Sequence, residues 1–132
     1  MRAILALAAI ALATGTASSV GAQVDYSSGP VIEVDLSSFK FSPAKVELKA
    51  GQPNTLTLIN KSSGGHNFSA SEFFAAADIA PQDAGRVKKG AVEVGKGKTV
   101  AIHLVPKAGQ YDLKCSHFGH STFGMTGVIV VR

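Results

Sequence analysis

The sequence predicts an all-β fold, an antiparallel Greek-key β-sandwich with one short helical insertion, on three observations. Apolar and polar residues alternate at period two in several short runs. Gly and Pro turn signals separate those runs. A single stretch, residues 71–78, departs from the pattern toward helix.

Taken in chain order, Val31, Ile32, Val34 and Leu36 mark the first strand, with Phe39 and Phe41 alternating just beyond it until Pro43 stops the run. Val46 and Leu48 alternate with Lys45, Glu47 and Lys49, the pattern of a half-buried strand. Residues 50–53 (Ala-Gly-Gln-Pro) signal a turn, and residues 55–60 form the next strand. The loop Ser-Ser-Gly-Gly at 62–65 leads into His66, Asn67 and Phe68. Ala and Glu favour helix over 71–78, with Ser71 as the expected cap, while 81–90 is loop. Strands resume at 91–94, at Val100, Ile102 and Leu104, at 110–115 and at 126–131, for seven or eight in all. Residues two apart on a strand share a face, so Tyr111, Leu113 and Cys115 form a row toward the core with the thiol at its end.

The first residues read differently. Arg2, an apolar run from Ala3 to Ala13 and a small-residue finish at Ala22 have the form of a secretory signal peptide. The apolar run is shorter than the roughly 20 residues a membrane span needs. The expected organisation is therefore a signal peptide over 1–22, a flexible segment over 23–30 and one domain over 31–132. Cleavage leaves about 110 residues, near the usual domain size. The expected location is the periplasm or another exported compartment, with no membrane anchor after cleavage.

Charge is mildly basic, with 13 Lys and Arg against 9 Asp and Glu. The Lys88-Lys89 and Lys96/Lys98 pairs are short and flanked by glycine, which reads as solvated turns rather than a nucleic-acid footprint, so no nucleic-acid partner is expected. One cysteine cannot form an internal disulfide, so in an exported chain it calls for another role. With Met1 removed, Met125 is the only methionine left.

Residues 114–125 place a thiol, two imidazoles and a thioether in twelve positions: Cys115, His117, His120 and Met125. Thiolate and thioether suit Cu(I), imidazole suits both copper oxidation states, and a His₂Cys plane with a weak axial Met is a blue-copper arrangement. The loop supplies Cys, one His and Met. The second His must come from elsewhere, and His66, after a Gly-rich turn and at the start of a strand, is the natural candidate. His103 has the parity of a solvent-facing strand residue and is not counted as a ligand.

Phe41-Ser42-Pro43, Gly51, Asn60, His66-Asn67-Phe68 and Tyr-x-Leu-x-Cys-x4-His-x4-Met together resemble the cupredoxins, the plastocyanin/azurin family of type-1 copper proteins. The loop spacing is similar to that of the rusticyanins. The resemblance implies a Greek-key sandwich holding one copper ion through His66, Cys115, His120 and Met125, and it selects His120 over His117. It also implies that Asn67 pins the ligand loops together by hydrogen bonding. His117 reads as an orienting or surface residue. Residues 71–95 carry none of the motifs on which the resemblance rests.

The function expected is a one-electron carrier between redox partner proteins, acting as a monomer and docking them near His120, Phe118 and Phe123. A copper-handling or copper-tolerance protein on the same fold is the alternative. Catalysis is not expected. No acidic group stands near Cys115 to complete a nucleophilic triad, and four protein ligands leave no open metal position.

Overall fold

The computed structural model describes residues 15–132. Most of the expected signal peptide lies outside the described residues, and 15–25 carry no secondary structure. The elements are β1 (Val31–Ser37), β2 (Lys40–Ser42), β3 (Lys45–Leu48), β4 (Asn54–Ile59), β5 (His66–Ser69), α1 (Ser71–Ala76), β6 (Asp78–Ile79), a 3₁₀ turn (Ala84–Arg86), β7 (Ala91–Val94), β8 (Thr99–Val105), β9 (Gly109–Lys114) and β10 (Thr126–Val131).

Two five-stranded sheets form the sandwich, ordered β2-β1-β4-β8-β6 and β3-β10-β9-β5-β7. Most neighbours are antiparallel, but β1 runs parallel to β4 and β3 runs parallel to β10. The crossing of the chain between sheets explains this: β2 closes one edge of the first sheet and β3, three residues on, opens an edge of the second. Neighbours within a sheet are then often not consecutive in sequence, and their directions need not alternate.

The alternation in sequence becomes burial. Val46 and Leu48 are buried on β3 while Lys45 and Glu47 are exposed. Leu56, Leu58, Ile102 and Leu104 face Phe68, Leu113 and Ile129 across one continuous core. Phe68 sits between Phe41 and Phe74, with ring centroids 5.9 and 6.0 Å away. Burying such a side chain contributes roughly 1.5–3 kcal/mol. The helical insertion belongs to this core, since α1 buries Phe73 and Phe74, and Phe73 meets Tyr111 edge-on at 5.6 Å. The cap is Ala70, without a side-chain hydrogen bond, and Ser71 is the first helical residue.

Two local features differ from the sequence reading. Residues 78–79 pair with β8 as the short strand β6 at the edge of the first sheet. Phe39 does not continue the first strand. The chain reverses after Ser37, Phe39 takes a left-handed conformation (φ 58°), and β2 returns antiparallel with Ser37 opposite Lys40. Phe41 keeps the core place predicted for it, and Phe39 is turned out to the end of the sandwich. Among the described residues no helix is long and apolar enough to cross a membrane.

Candidate metal centre

Cys115 follows β9 and Met125 precedes β10, and these strands pair from Lys114 opposite Thr126 downward. The segment between them is thus a loop clamped at its base. Cys115 N–H donates to Met125 O (3.0 Å), and Met125 N–H donates to His120 O (2.9 Å). Inside the loop His120 N–H donates to His117 O, and Phe123 N–H to Gly119 O. Gly119 and Gly124 take positive φ (78° and 97°), a conformation that costs glycine little and lets the loop fold back on itself.

This folding brings three donor atoms together. His120 Nδ1 lies 3.3 Å from Cys115 Sγ and 3.2 Å from His66 Nδ1. His66, Cys115 and His120 are the cluster of metal-binding side chains among the described residues, with all ligand atoms within 4.8 Å of one another. Cys115 and Met125 are fully buried, and His66 is 4% exposed. Burial, then the neighbouring His120 and His117 imidazoles, holds His66 below the ordinary imidazole pKa, which favours the neutral, ligating form. The other ring nitrogen, Nε2, meets Ser62 Oγ at 3.0 Å, the kind of outer partner that orients a ligating imidazole.

Asn67 ties the two halves of the site. Its backbone N–H points at Cys115 Sγ (3.5 Å), its Oδ1 accepts the Ser116 N–H (2.8 Å), and its Nδ2 donates to Ser116 Oγ (2.6 Å) and Glu93 Oε1 (2.9 Å). The other oxygen of Glu93 meets His117 Nε2 at 2.8 Å. His117 is thereby held at the rim, outside the donor cluster.

A family model described as copper binding proteins of the plastocyanin/azurin family matches residues 30–132. The chain belongs to that family. Among solved structures, this cupredoxin is similar to a dithionite-reduced auracyanin from the photosynthetic bacterium Roseiflexus castenholzii, at 20% identity over 80% of this chain and 98% of that one, with a TM-score of 0.58. It is also similar to an amicyanin variant in its reduced Cu(I) form, at 26% identity over 77% of this chain and 82% of that one (TM-score 0.50). A multicopper oxidase from Campylobacter jejuni shares the fold at 14% identity, covering 88% of this chain and 32% of that one (TM-score 0.57). No curated protein sequence matches.

One copper ion fits this cupredoxin's donor set. Two imidazole nitrogens facing each other at 3.2 Å beside a buried thiol have no other partner on that side, and nitrogen with soft sulfur is the set copper prefers. His103 lies elsewhere, with Nδ1 on the buried carboxylate of Asp83 at 2.7 Å, which also takes Arg86. Its side chain is partly covered rather than facing free solvent.

Sequence reasoning missed four contributors: Phe39, Ser62, Glu93 and Ser116. The ring of Phe39 stands edge-on to His120 at 5.1 Å and touches Phe123 at 5.3 Å. Phe39, Ser62 and Glu93 have no spacing signal, because each reaches the site from another loop or strand, while Ser116 lies beside Cys115 in the ligand loop and its part shows only in its bonds to Asn67.

Proposed function

We propose that this cupredoxin is an exported one-electron carrier, with His66, Cys115, His120 and Met125 as its copper ligands. The observation that carries this reading is the enclosure of the donors. Three ligand atoms converge with Cys115 and Met125 fully buried, while His120 alone of the cluster is partly open to the surface. When bound, copper supplies a Cu(I)/Cu(II) couple.

The chain's own residues set the conditions for that couple. Asn67 and the Cys115–Met125 backbone bonds fix the ligand loop, which would hold the donors in place for either oxidation state of a bound copper. The Asn67 N–H at Cys115 Sγ stabilises negative charge on sulfur, one of the levers that set a potential. His120 gives the electron a short route out, in a loop that also exposes Phe118 and Phe123, where a partner docks. The domain spans 31–132 and is released by cleavage near Ala22, which mass spectrometry of the secreted protein checks directly.

The optical and EPR spectra of the Cu(II) protein test the assignment. An intense thiolate-to-copper absorption with a small copper hyperfine splitting is expected, and Cys115→Ser should abolish the colour. A colourless wild-type copper form overturns the type-1 assignment. A copper-tolerance role on the same fold is the competing reading. It predicts a copper-sensitive deletion strain with normal respiration, and the lack of methionines outside the site once Met1 leaves with the signal peptide counts against it.

A further inference from the structure

Four loops close the ligand end of the sandwich: residues 37–40, 60–65, 95–98 and 116–124. They are bound to one another there. Phe39 packs on His120 and Phe123, Asn60 Nδ2 donates to Gly64 O and Val94 O, and Asn60 N–H donates to Lys98 O. Histidines apart, the charged residues of these loops are Lys40, Lys61, Lys96 and Lys98, and all four are exposed.

All nine Asp and Glu residues of the chain lie outside these loops, and without Arg2, which leaves with the signal peptide, 12 Lys and Arg stand against those 9, an excess of +3 that is smaller than the four lysines of these loops alone. Glu93, two residues before Gly95, has both oxygens engaged, by Asn67 and His117. The excess of positive charge thus lies in the loops of this end, with exposed Asp35, two residues before Ser37 on β1, as the other carboxylate close to them. The same loops carry exposed aromatic rings: Phe118 is fully exposed, Phe123 is 71% exposed and Phe39 is 41% exposed.

We propose that the ligand end docks an acidic protein, one that presents carboxylates around an apolar centre. This rests on the electron-carrier reading and adds the partner's chemistry to it. An apolar centre with a polar rim is the anatomy of a docking surface. A rim of one sign raises the encounter rate with an oppositely charged partner and repels a like one. A second copy of this chain would set lysines against lysines, so the partner is a different protein.

The test compares the copper-loaded wild type with the combined variant Lys40→Gln, Lys61→Gln, Lys96→Gln, Lys98→Gln. The reduced protein is oxidised in stopped flow by anionic hexacyanoferrate(III) or by cationic tris(phenanthroline)cobalt(III). Each takes one electron, giving hexacyanoferrate(II) or the cobalt(II) complex. For the wild type the rate with the anion should fall as salt rises, and the rate with the cation should increase. The variant should react with the anion about tenfold more slowly at low salt and lose that salt dependence.

A second readout needs no electron transfer. Polyglutamate added to the copper(I) protein should shift amide NMR signals in the four loops, and should not do so in the variant. Unchanged rates and salt slopes in the variant overturn the proposal, as do polyglutamate shifts centred elsewhere. Tighter binding to phosphatidylglycerol vesicles than to polyglutamate also overturns it, in favour of a membrane surface. If neither oxidant draws an electron from the wild type, the carrier reading fails, while the polyglutamate measurement still decides the surface.

Discussion

The backbone N–H of Asn67 lies 3.5 Å from the sulfur of Cys115, joining the first strand of the site to its last loop across 48 residues of sequence. Asn67 is 3% exposed, and its side chain makes three further hydrogen bonds, two to Ser116 and one to Glu93. One side chain therefore couples β5, the ligand loop and β7.

Asn67→Ala leaves the Ser116 N–H and Glu93 without that partner while keeping the backbone bond to sulfur. Losing a buried hydrogen-bonding group costs about 1–3 kcal/mol. The copper-free variant is expected to unfold at lower denaturant concentration by roughly that amount. The copper form should also lose affinity, because the two ligand-bearing segments are no longer locked together. Urea titration and chelator competition measure the two effects separately.

Ser62 offers a finer perturbation of the same kind. Its Oγ meets His66 Nε2 at 3.0 Å, opposite the nitrogen that faces the donor cluster. Ser62→Ala should weaken copper binding about 10–100-fold, the usual loss for an outer partner. His66→Gly should bind copper more weakly with a changed spectrum, and added imidazole should restore both. Unchanged affinity and spectrum in His66→Gly would remove His66 from the ligand set.

These contacts show what the sequence carries and what it does not. Cys115, His120 and Met125 are readable because they share one loop, and their types and spacing are visible in one dimension. The buried alternation of β3 and the core row Tyr111, Leu113 and Cys115 follow from period-two geometry. Phe39 is not readable, because an aromatic two residues from Phe41 has strand parity, and only the left-handed turn shows that it leaves the core. Glu93 is hidden for a related reason: an exposed carboxylate on an amphipathic strand looks like solvated surface until β7 is placed beside β5, with Glu93 opposite Asn67. The two parallel strand pairs are equally invisible, since alternation gives burial and not direction.

Acidity should destabilise the copper-free protein through His66. Burial, with the His120 and His117 charges adding, lowers the pKa of this imidazole from 6.5 in the folded state. The unfolded chain takes the proton near 6.5 while the folded protein resists it to lower pH. Stability from this group is therefore complete above about 6.5 and is lost as pH falls from there toward the folded value. Urea midpoints of the copper-free protein should drop between about pH 7.5 and pH 5. His66→Gln should flatten that part of the profile, and an unchanged slope would assign the acid sensitivity to other groups.

Met125 separates packing from ligation. It is fully buried, and its backbone bonds to His120 and Cys115 do not depend on its side chain, so Met125→Leu conserves volume and leaves the loop clamp in place. Such a swap usually costs less than about 1.5 kcal/mol, and the copper-free variant should unfold within that margin of the wild type. If Met125 only fills the core, the potential of the copper form is also unchanged. If its thioether is the axial donor, removing it withdraws electron density that favours Cu(II), and the potential must rise. Protein-film voltammetry on the two proteins distinguishes these outcomes: a rise with near-native stability assigns Met125 as a ligand, and equal potentials return it to the core.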